Sequence, residues 1–260
     1  MDEQLVLMDV KDHIATLTLN RPAVMNAFNA AMVGALDEQL ATLRFDAKVR
    51  VVIITGAGDK AFSAGADLKE RAGMTPDEVK RFIYHIRQLM DHVAQFPKPV
   101  IAAVNGVALG GGTELALAAD IRLASDNATM GLTETRLAII PGAGGTQRLP
   151  RLVGQGIAKE LIFTGRRVDA KEALRIGLIN QLHTCEELLE ACRVLAREIC
   201  RCGPIAVQQA KYAINHGMQA DLETGLAIES NAYWICIPTE DRLEGLAAFG
   251  QKRKPEYKGR

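Results

Sequence analysis

At 260 residues and 48% hydrophobic content the chain is long enough to bury a sizeable core, and one large soluble α/β domain is the default expectation. Its 31 basic and 31 acidic residues cancel to a formal net charge of zero, which excludes the basic stripe of a dedicated nucleic-acid binder and is compatible with burying surface in an oligomer. Cys185, Cys192, Cys200, Cys202 and Cys236 are odd in number, with no CxxC pair and no zinc spacing, so reduced thiols and no metal site are expected.

The start, Met1-Asp2-Glu3, is acidic and runs straight into a strand-like pattern, and no apolar run is long enough to span a bilayer. No signal peptide, no membrane contact and a cytoplasmic location are the expectations. Leu5 to Val10 and Ile14 to Leu19 read as a strand pair around Lys11-Asp12-His13. From Asn29, a helix N-cap, Met32, Leu36, Leu40 and Leu43 recur at helical spacing, and Val51 to Ile54 follows as a buried strand. This alternation indicates strand–helix–strand units. Gly56-Ala57-Gly58-Asp59-Lys60-Ala61 then imitates a dinucleotide-binding fingerprint, but no helical periodicity follows it and a Rossmann site is rejected. Thr75-Pro76-Asp77-Glu78 is a capping box with Pro at the first helical position, opening an amphipathic helix that Pro97-Lys98-Pro99 stops.

The next stretch is the centre of the chain. A strand over Val100 to Val104 turns at Asn105-Gly106, and Gly110-Gly111-Gly112 leads into an Ala/Leu-rich segment whose only charge before Asp120 is Glu114. Consecutive glycines suit a place where a ligand lies against bare backbone and the N–H groups of a starting helix point at it. A flexible loop before a core helix is the alternative reading of these residues. Ile121 to Ala124 and Thr129 to Leu132 read as short strands about Ser125-Asp126-Asn127. Glu134 then precedes a second Gly-rich turn, Pro141-Gly142-Ala143-Gly144-Gly145-Thr146-Gln147-Arg148. Beyond Gly156 the pattern is mostly helical: Asp169 caps Ala170 to Ile176, Leu178-Ile179 reads as a short strand, and helices are predicted over Leu188 to Cys200, Pro204 to Asn215, Asp221 to Ile235 and Thr239 to Phe249.

Four blocks together resemble the crotonase (enoyl-CoA hydratase/isomerase) superfamily: Lys60 to Lys69, Ala108 to Glu114, Glu134 through Leu149, and Phe249 to Arg253. The resemblance implies an α/β spiral of ββα units over residues 1–200, with a C-terminal helical region over 201–260 that drives a homotrimer or homohexamer. It further implies hydration of a 2-enoyl-CoA thioester. In that reading the backbone N–H groups of Ala66 and Gly111 form an oxyanion hole, Glu114 deprotonates the water and Glu134 protonates the α-carbon. Two carboxyls converging on one water do not both ionise easily, which raises the pKa of one of them. The backbone of Ala64 to Leu68, including Asp67, would hold coenzyme A, with Lys69 near its phosphates. Gly142 would keep one wall small, and Phe249 and Lys252 would approach the adenine end, from the same or a neighbouring subunit. No cofactor is implied beyond the substrate's own coenzyme A.

Several runs, among them Ala66 to Ala72 and Leu132 to Pro141, look most like the branch containing 3-methylglutaconyl-CoA hydratases. That substrate carries a second carboxylate, for which Arg71 and Arg136 are the candidate partners. The branch also contains an AU-rich RNA binder that uses lysines on its first helix. Met25, Ala30 and Gly34 occupy those positions here, so RNA binding is not expected. A Δ3,Δ2-enoyl-CoA isomerase and a non-catalytic acyl-CoA or RNA-binding homologue are the alternatives, and retention of both glutamates argues against each.

Overall fold

The computed structural model describes residues 4–260; Met1-Asp2-Glu3, from which no signal peptide is expected, lies outside the described residues. The chain opens with a hairpin of β1 (Val6–Lys11) and β2 (Ile14–Leu19). Its two turn residues, Asp12 and His13, both take positive φ, 51° and 67°, as a tight turn matching the twist of paired strands requires. Asn29 caps α1 (Ala30–Phe45) by accepting from Met32 N. β3 (Val51–Gly56) is buried throughout, and β4 (Ala61–Ser63) comes directly after the Gly56 to Lys60 turn. A strand rather than a helix therefore follows the fingerprint-like glycines, in keeping with rejection of a dinucleotide site. The five-residue α2 (Leu68–Ala72), which the periodicity does not predict, follows. In α3 (Pro76–Ala94) the capping box is complete: Glu78 N donates to Thr75 Oγ1, and Thr75 N donates to Glu78 Oε2 at 2.7 Å.

β5 (Val100–Val104), β6 (Val107–Leu109) and α4 (Gly111–Ala118) form the central unit. β7 (Ile121–Ser125), β8 (Thr129–Gly131), a 3-10 turn (Glu134–Leu137), α5 (Gly145–Val153) and α6 (Gln155–Thr164) come next. β9 (Val168–Asp169), α7 (Ala170–Arg175), β10 (Gln181–His183) and α8 (Cys185–Cys200) complete the core, and α9 (Pro204–Gly217), α10 (Leu222–Cys236) and α11 (Glu240–Gly250) end the chain.

From β3 to β8 successive strands alternate between two sheets. One sheet has the order β1-β2-β3-β5-β7-β10 and the other β4-β6-β8-β9. β3, β5 and β7 run parallel in the first and β4, β6 and β8 run parallel in the second. Each pair is followed by helix, so the chain advances as a spiral of ββα units, the fold class expected. Ser125-Asp126-Asn127 is accordingly a corner between sheets: β8 pairs with β6, not with β7. The strand expected at Leu178-Ile179 begins instead at Gln181. Leu178 and Ile179 are apolar because they are buried where Gly177 closes α7, their N–H groups donating to Ala173 O. Apolar composition reports burial, whereas a strand also needs a partner in register.

The C-terminal helices are pinned to this core by buried charge. Lys211 Nζ on α9 donates to Asp120 Oδ2 at 2.7 Å and to Lys98 O, while Lys98 Nζ donates to Leu43 O and Asp46 O. Buried charges are tolerated when they are paired or hydrogen-bonded, and each of these ammonium groups has two oxygen acceptors. The same helices leave much apolar surface open: Met218 and Leu222 are each 78% exposed and Phe249 is 87% exposed.

Candidate active site

The site is assembled from the ends of three spiral turns. Phe28 N donates to Gly65 O and Asp67 N donates to Phe28 O, which fixes the intervening peptide as an isolated parallel bridge. In that geometry the N–H of Ala66 faces away from Phe28. Among the described residues it has no acceptor, and neither has the N–H of Gly111, the first residue of α4. The two segments are close: a Cβ on Gly65 would lie 3.0 Å from Gly111 N and 2.6 Å from Leu109 O. Gly65 and Gly110 have φ of 86° and 49°, a region that side chains with a Cβ rarely adopt. Gly112 has no room for a Cβ, which would overlap Ser63 O. The glycines thus serve close backbone approach, and the flexible-loop alternative is set aside. Asp67 holds the same segment: it caps α2 and pairs with Arg21 at 3.1 Å, whose Nη1 donates to Ala27 O.

Glu114 lies on α4, which is apolar and buried on nearly all sides, and is 3% exposed. Its Oε1 accepts from Ala143 N and Gly145 N, both at 2.8 Å. Burial holds its carboxyl above the ordinary glutamate range, and the two N–H donors and the Arg148 charge only partly offset this. Glu134, at the start of the 3-10 turn, approaches from the opposite wall. A Cβ on Gly110 would lie 3.1 Å from Glu134 Oε1, so that glycine admits the carboxyl. Glu134 Oε2 is buried without a hydrogen-bond partner, which exposes its charge to the full desolvation penalty. Burial and the neighbouring Glu114 push the Glu134 carboxyl up to about 7. Both carboxyls are raised, but unequally: Glu114 has two donors that favour its charged form, and Glu134, with none on Oε2, holds its proton near neutrality.

These groups line one cavity together with Ala64, Leu68, Gly142 and Arg71. Ile83 and Ile86, from the apolar face of α3, and Ile139 also line it. A Cβ on Gly142 would press 3.0 Å from Ile83 Cγ2, so the absence of a side chain at residue 142 keeps that wall open. Asp67 does not line the cavity, and its carboxylate is taken up by α2 and Arg21. Lys69 is exposed outside it, and Phe249 and Lys252 sit away from it on the C-terminal region of the same chain. Of the two arginines, Arg71 lines the cavity and its guanidinium has no acceptor among the described residues. Arg136 instead donates to Thr164 O and packs over Gly165. Sequence reasoning missed the donors on Glu114, because Ala143 and Gly145 act through backbone. Among the described residues no cluster of His, Cys, Asp and Glu is arranged to hold a metal, and no helix is long and apolar enough to cross a membrane.

A spiral of ββα units carrying two unpaired N–H groups opposite two buried carboxyls is the arrangement of the crotonase fold, and residues 9–260 match the enoyl-CoA hydratase/isomerase family. The chain belongs to that family and is an enzyme of the enoyl-CoA hydratase class. It is 53% identical over 255 residues to a putative enoyl-CoA hydratase/isomerase of Bacillus subtilis, YngF, with 98% of each chain covered. The mitochondrial methylglutaconyl-CoA hydratase of Homo sapiens is 51% identical over 252 residues, covering 95% of this chain and 74% of its own. An enoyl-CoA hydratase structure from Bacillus anthracis superposes with a TM-score of 0.98 at 53% identity, covering 99% of this chain and 100% of that one.

Proposed function

We propose that the chain adds water across the 2,3-double bond of a short 2-enoyl-CoA thioester. The observation that carries this is the split carboxyl pair facing the same cavity as the two free N–H groups. With the thioester oxygen on Ala66 N and Gly111 N, a water between the carboxyls attacks C3. Glu114 takes the proton of that water, the double-bond electrons move to the thioester oxygen as an enolate, and Glu134 delivers its proton to C2. Each N–H stabilises the enolate by about 3 kcal/mol, since it is fixed before charge develops. An isomerase needs one proton shuttle and would leave the second buried carboxyl without a role. A purely binding homologue would have no use for a carboxyl held near pH 7. No cofactor beyond the substrate's own coenzyme A is required.

The acyl group is further proposed to carry a second carboxylate, recognised by Arg71, as the name of the human relative would suggest for its own substrate. A guanidinium without an acceptor among the described residues, on a cavity wall that also carries Ile83, Ile86 and Ile139, favours an anionic acyl end. Loss of enoyl-thioester absorbance with crotonyl-CoA tests hydration, and absence of turnover with any short enoyl-CoA would sink it. Turnover of 3-methylglutaconyl-CoA relative to crotonyl-CoA tests the second carboxylate. Arg71→Leu should lower that ratio about tenfold or more, the worth of a charge-assisted hydrogen bond; an unchanged ratio removes Arg71 from substrate choice.

Copies of the chain are proposed to cover the apolar surface of α9 to α11, bringing Phe249 and Lys252 to the coenzyme A of a neighbour. The number of large apolar side chains exposed along these helices, among them Trp234 at 62%, Met218 at 78% and Phe249 at 87%, supports this. Sedimentation equilibrium at micromolar concentration should give a trimer or hexamer, and a monomer would overturn the proposal.

A further inference from the structure

The hydration scheme uses the Gly144 to Arg148 turn only for the Gly145 N–H, although its most polar residue points back at the turn itself. We propose that Arg148 is a positioning residue: it holds the Ala143–Gly145 peptides in register on Glu114 and supplies the cation that keeps Glu114 a carboxylate. The role of Glu114 as base rests on the hydration reading; the geometry does not.

Arg148 Nη1 donates to Ala143 O at 2.9 Å, and Nη2 donates to Asp91 Oδ1 on α3 at 2.7 Å. Its own N–H donates to Gly144 O at 2.8 Å. The Ala143 residue is therefore held at both ends, its N–H on Glu114 Oε1 and its carbonyl on Arg148. Asp91 anchors the guanidinium to a second element, so the turn cannot swing without breaking contacts to α3. Gly144 sits at φ 108°, and a Cβ there would overlap the Arg148 guanidinium. This accounts for the glycine and the arginine occurring four residues apart: one vacates the space that the other fills.

The charged groups around Glu114 are few. Glu134 faces it from the 3-10 turn and Arg148 from α5, and Arg71 of α2 lines the same cavity. α3 contributes Asp91, engaged by Arg148 and lying 3.8 Å from Arg87. β4 and β6, which also pack on α4, contain no ionisable side chain. Of the two cations Arg148 and Arg71, Arg148 is the one bonded to the segment that donates to Glu114. Without it the turn loosens, a buried carboxylate loses oriented donors, and Glu114 binds its proton more tightly.

The test has two readouts. In protein labelled with 13C at the glutamate carboxyls, the Glu114 resonance is assigned by its absence in Glu114→Gln and titrated directly. Arg148→Gln should raise that titration by about one pH unit or more, the usual effect of removing an adjacent opposite charge. The acid limb of the kcat/KM profile should rise by the same amount, and Arg148→Lys should recover part of the shift. A folded Arg148→Gln protein with the Glu114 titration unmoved overturns the proposal even if its activity falls at every pH. Should Arg148→Gln not fold, an unmoved titration in Arg148→Lys, which keeps the charge but cannot reach both Ala143 O and Asp91, overturns the positioning. Wild-type protein that fails to hydrate would remove the base role and leave the titration to decide the positioning.

Discussion

Glu134→Gln and Glu114→Gln should each lower crotonyl-CoA hydration by roughly 10²–10⁴-fold, the range that a positioned general acid or base contributes. Both amides occupy nearly the volume of the carboxyls they replace. The losses should appear in kcat, because the protons move only in the transition state, and the double variant should be little worse than either single one. Wild-type kcat/KM should be bell-shaped. Its alkaline limb reflects the Glu134 carboxyl held at about 7, its acid limb protonation of Glu114, and both limbs belong to the pair as a coupled unit. Turnover within tenfold of wild type in either variant would refute the division of labour.

The same variant has a signature in stability. Glu134 titrates at about 7 in the fold against 4.5 for an unburied glutamate, so the folded protein binds this proton more tightly than the unfolded chain does. The contribution is fully present below 4.5 and is lost as pH rises through 7, roughly 3 kcal/mol at about 1.4 kcal/mol per unit. Glutamine does not titrate. The Tm of Glu134→Gln relative to wild type should therefore climb by several degrees between about pH 5 and pH 9. A constant difference would mean that Glu134 is not the buried carboxyl described.

How much of this was legible beforehand follows from where the information lies. The order of strands and helices was readable because β3, β5 and the amphipathic α3 carry strong periodicity and clear caps. α2 and α5 were not: one has five residues under the Asp67 cap, and the other begins at Gly145 and contains Pro150, so both look like turns. Glu114 stood out as the one charge in an apolar run. Glu134 did not, since its neighbours Thr133 and Thr135 are ordinary loop residues, and only the meeting with Gly110 gives it a buried carboxyl. The donors on Glu114 and the oxyanion hole are backbone groups, which every residue except proline possesses. Sequence can mark them only indirectly, through glycines that allow close approach.

That backbone character calls for a substitution in the backbone. Inserting lactic acid at the position of Ala66 by nonsense suppression keeps the methyl group and replaces the N–H by an ester oxygen. The bridge to Phe28 runs through Gly65 O and Asp67 N, so no N–H donor of the fold is removed; the ester carbonyl is only a weaker acceptor for Phe28 N. Turnover should fall about 10²–10³-fold, the worth of one preorganised donor to an oxyanion, with little change in Tm. The loss belongs in kcat because the thioester oxygen gains its full charge only as C3 is attacked. The same ester at Ala64 is the control. Ala64 N donates to Met25 O at 2.9 Å, so its removal breaks a structural hydrogen bond and should lower Tm while reducing kcat far less. Equal kcat losses at the two positions would mean that ester chemistry in this segment, rather than a donor aimed at the substrate oxygen, limits the reaction, and Ala66 would no longer be half of the hole that Gly111 completes.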